Sequence, residues 1–195
     1  MEQISWASLS QRKPSEVGVA ISKAFWQHAE IEYQRSHVVA QATQDRSPLL
    51  HATHNSLVAL RHLSKDRLYQ FSETCAPEEA TRELPYVALG SGQANADPFL
   101  AFLKRVLWDD GQPTVAGGQL AVYWALHQTI EATPGLGGEP VLATLQRGTA
   151  QLVPDEQLVE HREAIDNIEN QLREWRDKLS AEASPDTPSP PDPPV

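Results

Sequence analysis

The stretch Leu84-Pro85-Tyr86-Val87-Ala88-Leu89-Gly90-Ser91-Gly92 and its continuation through Asp97, Pro98 and Phe99 constrains the chain more than any other. An apolar run with a β-branched residue predicts a strand over Leu84 to Leu89, and Gly90-Ser91-Gly92 predicts a tight turn. Asp97 has the short acceptor that caps orphan helix donors, and Pro98 suits a first helical position because its missing N–H costs nothing there. Phe99, Phe102, Leu103, Val106 and Leu107 then recur at the spacing of one buried helical stripe. A glycine-rich turn between strand and helix can cradle phosphate, because backbone N–H groups and the helix dipole converge there. The three spaced glycines of a dinucleotide site and the Gly-Lys-Ser/Thr ending of a P-loop are both missing, which favours glycines that only permit a sharp turn.

Around this stretch the chain reads as alternating elements. Ser15 is a plausible N-cap for a helix running to about Thr43, with Val17, Ile21, Phe25, Ile31 and Val38 near one face and His28 on the same stripe. Residues 1 to 14 have no defensible period. Ser56 to Leu63 and Arg67 to Ser72 predict a hairpin turning at Lys65-Asp66, and residues 75 to 83 an acidic connection. Thr114 caps a second helix whose apolar residues, Leu120 to Ile130, cover much of its circumference. Beyond a turn at 133 to 140, Val141 to Gln146 and Ala150 to Val153 predict a hairpin around Arg147-Gly148. In the last helix, Asp155 to about Leu179, Leu158, Ile165, Leu172 and Leu179 are spaced by seven, with His161, Ile168 and Trp175 between them. That seam suits either a partner helix or its own domain. Trp124 and Trp175 are expected to be apolar anchors. The Pro, Ser, Asp and Thr composition of residues 180–195 predicts a disordered acidic tail.

The strand ending in Gly90-Ser91-Gly92, the helices from Asp97 and Thr114, and Pro134-Gly135-Leu136-Gly137-Gly138-Glu139-Pro140-Val141 resemble, in order and spacing, the C-terminal half of a proteasome β-type subunit. The resemblance covers roughly residues 56 to 153. It implies an N-terminal nucleophile hydrolase, an α+β chain forming one half to two thirds of an α-β-β-α sandwich, with five strands recoverable, over a partial domain at 1–179. The implied activity is threonine-type peptide-bond hydrolysis inside a self-assembled ring, with copies of the chain or related subunits as partners and peptide or unfolded protein as substrate. In that family a terminal threonine supplies hydroxyl and amine, supported by an aspartate and a lysine.

None of those three residues has a counterpart here. Ser5, Ser8 and Ser10 precede a helix too closely to sit on a strand pair, and Lys23 and Asp45 belong to that helix and its exit. The expectation is that the chain begins after the family's first strands and is inactive as it stands. The site residue that carries over is Ser91, whose hydroxyl the resemblance places in a supporting role in proton transfer. The later turn has Thr133 and Leu136 where active members often have aspartate and serine. The competing reading is a non-catalytic assembly or interaction subunit, with Ser91 only a small residue that the turn requires.

Composition narrows the remaining classes. A net charge of −10 argues against an electrostatic grip on nucleic acid or an anionic membrane, and no apolar run approaches the length of a membrane helix. The single cysteine, Cys75, excludes an intrachain disulfide framework and fits a reducing, cytoplasmic setting. It lacks local features that would lower its pKa, and is expected to be inert. His51-x-x-His54, with His62, His28 and His37, offers a metal-site alternative without a diagnostic acidic or cysteine partner. Asp109-Asp110 are expected to face solvent, and neither cofactor nor metal is expected.

Overall fold

The computed structural model describes residues 6–47, 55–108 and 113–182. The chain is α+β and divides into two compact units, residues 1–153 and 154–195. In the first unit lie helices α1 (Trp6–Ser10), α2 (Pro14–Thr43), α3 (Gln93–Leu107) and α4 (Val115–Ala132), and strands β1 (Ser56–His62), β2 (Lys65–Phe71), β3 (Pro77–Glu79), β4 (Ala143–Gln146) and β5 (Thr149–Leu152). The second contains α5 (Asp155–Glu182).

The expected first hairpin forms, but its turn lies two residues earlier than the polar Lys65-Asp66 pair suggested. Every residue from Ser56 to His62 pairs antiparallel with one from Lys65 to Phe71, leaving Leu63 and Ser64 as a two-residue loop. Both have positive φ, 46° and 66°, as the tightest hairpin turns demand. The second hairpin turns where expected, on Arg147 and Gly148, with φ of 50° and 85°.

The third strand is not Leu84 to Leu89. Residues 85–89 join no ladder, and the strand that pairs with β2 is β3, inside the supposed acidic connection. Two causes combine. Once β3 occupies the free side of β2, that edge is taken, and Pro85 has no N–H to offer a ladder. Sheet order is therefore β1-β2-β3, with β4-β5 as a separate two-stranded sheet.

Helix α2 starts at Pro14 rather than after Ser15. Lys13 is its N-cap, and its backbone N–H donates to Glu16 Oε2 at 3.2 Å. Pro14 occupies the first helical position, where no N–H is missed. The first turns of α2 cover one face of the sheet: Leu9, Val17, Ala20, Ile21, Leu60, Tyr69 and Phe71 form a buried core, and Phe25 meets Phe71 edge-on at 4.9 Å. Gly18 makes this approach possible, since a Cβ there would stand 3.0 Å from Pro77 Cβ and 3.2 Å from the Tyr69 ring. The predicted apolar stripe does not stay buried. Ile31 and Val38 are exposed, as is His28. Thirty helical residues span about 45 Å, whereas a seven-residue strand spans about 23 Å, so the helix overruns the sheet it packs on.

Residues 1 to 14, which showed no period, contain α1, a single turn that contributes Leu9 to the core. The tail beyond Glu182, expected to be disordered, lies outside the described residues, as do His51, His54, Asp109 and Asp110. In α5 the seam residues Leu172, Trp175 and Leu179 are exposed in the single chain, Trp175 at 61%, whereas Trp124 is buried; an intersubunit place for Trp175 stays open. An i,i+4 pair, Arg173 to Glu169 at 2.8 Å, supports that helix locally. Among the described residues no helix is long and apolar enough to cross a membrane.

Candidate functional site

The site is built around the Gly-Ser-Gly turn. Gly90 adopts φ 101°, a conformation costly for any side chain, and reverses the chain after Leu89. Helical hydrogen bonding then begins at once: the N–H groups of Asn95 and Ala96 both donate to the Gly92 carbonyl. The helix therefore opens at Gln93, five residues before Pro98. Pro98 falls inside α3, where its ring nitrogen cannot donate to the Ala94 carbonyl. Asp97 does not cap the helix; its carboxylate accepts from Gln93 Nε2 at 3.1 Å. The buried face overlaps the expected stripe only in part: Leu103 is buried as expected and Phe99 is half-buried, but Leu100, outside that stripe, is buried as well. Phe102, Val106 and Leu107 are exposed.

Helix α4 opens where expected, with Thr114 Oγ1 accepting from the Gly117 N–H at 3.1 Å. It packs against α3 through Trp124, whose ring meets Phe99 edge-on at 5.7 Å. Tyr123, next to it in sequence, is buried at 1% exposure.

This pairing brings together two turns more than forty residues apart in sequence. Gly92 lies so close to α4 that a Cβ would stand 2.4 Å from Thr129 Cγ2 and 3.0 Å from Leu136 Cδ1. Nearby, Asn95 Nδ2 donates to Thr133 Oγ1 at 2.7 Å. Ser91 and Gly137 thus border one cavity of about 580 Å³, walled by Leu57 and Leu68 of the sheet and Leu100, Val122 and Leu126 of the helices. Ser91 is exposed at its rim, and its hydroxyl has no hydrogen-bond partner among the described residues. Among the described residues no base is therefore in place to take its proton.

Thr129 escaped the sequence reading. It is 6% exposed, lines the cavity, and its hydroxyl has no hydrogen-bond partner among the described residues. Its only sequence signal was a hydroxyl in an otherwise apolar helix, which is common and uninformative. Tyr86 and Asp97 border a smaller neighbouring cavity of about 160 Å³; burial, then the Asp97 charge, raises the Tyr86 phenol pKa above its ordinary value.

The remaining candidates behave separately. Cys75 is buried at 4% exposure, and burial raises its thiol pKa, which disfavours the nucleophilic thiolate. Lys23 is an exposed residue of α2, and Asp45 accepts from the Ser47 N–H and hydroxyl, contacts that hold its carboxyl below the usual range. Neither lines the cavity at whose rim Ser91 sits. His62 is buried at the end of β1, and among the described residues no three metal-ligating side chains converge. Set against protein-family models, characterised proteins and solved structures, the chain matches none.

Proposed function

We propose that residues 56 to 153 belong to a proteasome-like N-terminal nucleophile hydrolase subunit, a threonine-type peptidase scaffold that assembles into a closed intracellular ring and takes peptide or unfolded protein as substrate. The observation that carries this reading is the meeting of the Gly90-Ser91-Gly92 turn with the Thr133 to Gly138 turn through Gly92, Thr129 and Leu136. Those are the two turns on which the resemblance rests, and a peptidase of this kind needs them adjacent to flank one reacting centre. In this reading Ser91 supports proton transfer and is not itself the nucleophile. The nucleophilic threonine, its amine and the supporting lysine have no counterpart among the described residues that line the cavity with Ser91, and on this reading the chain is expected to be inactive alone.

The exposed Leu172, Trp175 and Leu179 of α5 favour the second reading, an assembly subunit without catalysis. Both readings require association, and the peptidase reading alone requires a Ser91-dependent reaction in a catalytically complete ring. Two measurements test this. Mass photometry of the purified chain should show closed assemblies at whole multiples of 21.6 kDa, and a monomer persisting at about 100 µM would overturn the ring. Fluorogenic peptides should not be turned over by the chain alone. Turnover that disappears in Ser91→Ala would refute the supporting role and make Ser91 a direct participant.

A further inference from the structure

Helix α2 carries a second apolar face besides the one that covers the sheet. Val17, Ile21 and Phe25 turn toward the core, whereas Val19, Trp26 and Tyr33 are 48%, 50% and 46% exposed. These three are spaced by seven, so they form one line along the helix, about 120° round from Ile21 and Phe25. Trp26 and Tyr33 lie where α2 has run past the core, and Tyr33 stacks on His37, one turn later, at 6.2 Å. Beside this line run the half-buried Ser22, Ala29 and Ser36, again spaced by seven and each three residues after a large one. Together the two lines are the a and d positions of a heptad repeat, large at a and small at d.

That alternation selects the occupant. A helix that fits must set small residues against Val19, Trp26 and Tyr33 and large ones against Ser22, Ala29 and Ser36, and α2 run in the opposite direction does both. With a two-fold axis between Gln27 and His28, Val19 meets the partner's Ser36, Ser22 the partner's Tyr33, and Trp26 the partner's Ala29, so every layer pairs one large with one small side chain. The flanking residues agree in the same register: Lys23 comes opposite the partner's Glu30, and Glu16 opposite the partner's His37. A parallel pair would stack Trp26 on its own copy and leave Ser22 and Ala29 facing themselves across voids. The contact from Val19 to Ser36 is about 27 Å long. Its half-exposed aromatic and valine side chains, with the Lys and Glu stems beside them, bury on the order of 1,200 Å² over both copies, the lower end for a specific interface.

We propose that this outer face of α2 is a self-recognition surface, through which two copies of the chain pair as an antiparallel coiled coil about a two-fold axis. The contact involves residues 16 to 37, outside the stretch 56 to 153 on which the ring reading rests. Being isologous it closes at two copies, whereas a ring is built by a heterologous contact.

Sedimentation equilibrium of the full chain should show a reversible monomer–dimer equilibrium with a Kd of about 1 to 50 µM. Trp26→Ala should raise that Kd about tenfold or more with the circular-dichroism spectrum unchanged, since the residue is half-exposed. Lys23→Glu and Glu30→Lys should each raise it at least about threefold, and the double exchange should return it to within about twofold of wild type. Within one helix these two residues stand two turns apart, about 10 Å along the axis, so only the antiparallel register makes them compensate each other. Both are exposed, and their cycle decides the matter even if Trp26→Ala failed to fold. A monomer persisting at about 200 µM, a dimer unchanged by Trp26→Ala, or a double exchange no better than the single ones would each overturn the inference. Larger assemblies whose stoichiometry Trp26→Ala leaves unchanged would uphold the ring and overturn this contact. A dimer that obeys the charge cycle in a chain forming nothing larger would uphold this contact and overturn the ring.

Discussion

Replacing Gly92 by alanine is the sharpest test of how the site is held together. Gly92 has φ −87°, a value any residue adopts, so the substitution adds no backbone strain and its cost is almost wholly steric. The added Cβ would meet Thr129 Cγ2 at 2.4 Å and Leu136 Cδ1 at 3.0 Å. Leu136 can swing the end of its side chain aside. Thr129 cannot, because it is β-branched, helical and buried, and its χ1 choices are few. Overpacking of this kind costs about 1 to 3 kcal/mol, and alanine is also a poorer N-cap than glycine by up to about 1 kcal/mol. A loss of roughly 2 to 3 kcal/mol lowers the melting temperature of a chain this long by about 5 to 10 °C. Thr129→Ser removes the opposing methyl, so a double-mutant cycle isolates the contact from the capping change; the coupling should be about 1 kcal/mol or more, with serine partly rescuing alanine. The readout is circular-dichroism melting of the four proteins. If Gly92→Ala melted within about 1 °C of the wild type, or Thr129→Ser gave no rescue, the reasoning that these two turns are pressed together through α4 would fail.

Three further outcomes follow from individual contacts. Burial, then the Glu79 charge, raises the Tyr69 phenol pKa above its ordinary 10.0, so the folded chain holds that proton more tightly than the unfolded chain. Its stabilisation is complete below pH 10 and is lost as pH rises through the folded value; Tyr69→Phe should flatten that part of the urea-midpoint profile, and an unchanged slope would refute it. Thr114→Ala should cost about 1 kcal/mol in urea unfolding, with Thr114→Ser near wild type, because the Gly117 N–H loses its acceptor. A disulfide reagent should leave Cys75 untouched in the native chain and label it fully in urea; rapid native labelling would contradict its burial.

Local chemistry made much of the fold legible from sequence. The caps at Thr114, the φ-tolerant turn at Arg147-Gly148, the length of α2 and the strand pair around residues 56 to 72 depend on neighbours within a few positions, where sequence and structure report the same physics. What failed was decided at longer range. Leu84 to Leu89 has the composition of a strand, but a ladder needs a free edge, and β3 had taken the one on β2. The stripe expected on α3 was Phe99, Phe102, Leu103, Val106 and Leu107, of which Leu103 is buried, while Leu100 is buried from outside it because packing against α4 decides which face turns inward. Ile31 and Val38 obey helical periodicity on a helix that outruns the sheet beneath it. The site divides in the same way. That Ser91 sits in a glycine turn is legible from residues 90 to 92 themselves, because φ at Gly90 is a one-residue matter. What the turn faces is a matter of packing, since pressing Gly92 against Thr129 and Leu136 depends on how α3 lies on α4, and no local pattern encodes a contact between residues 37 and 44 positions apart.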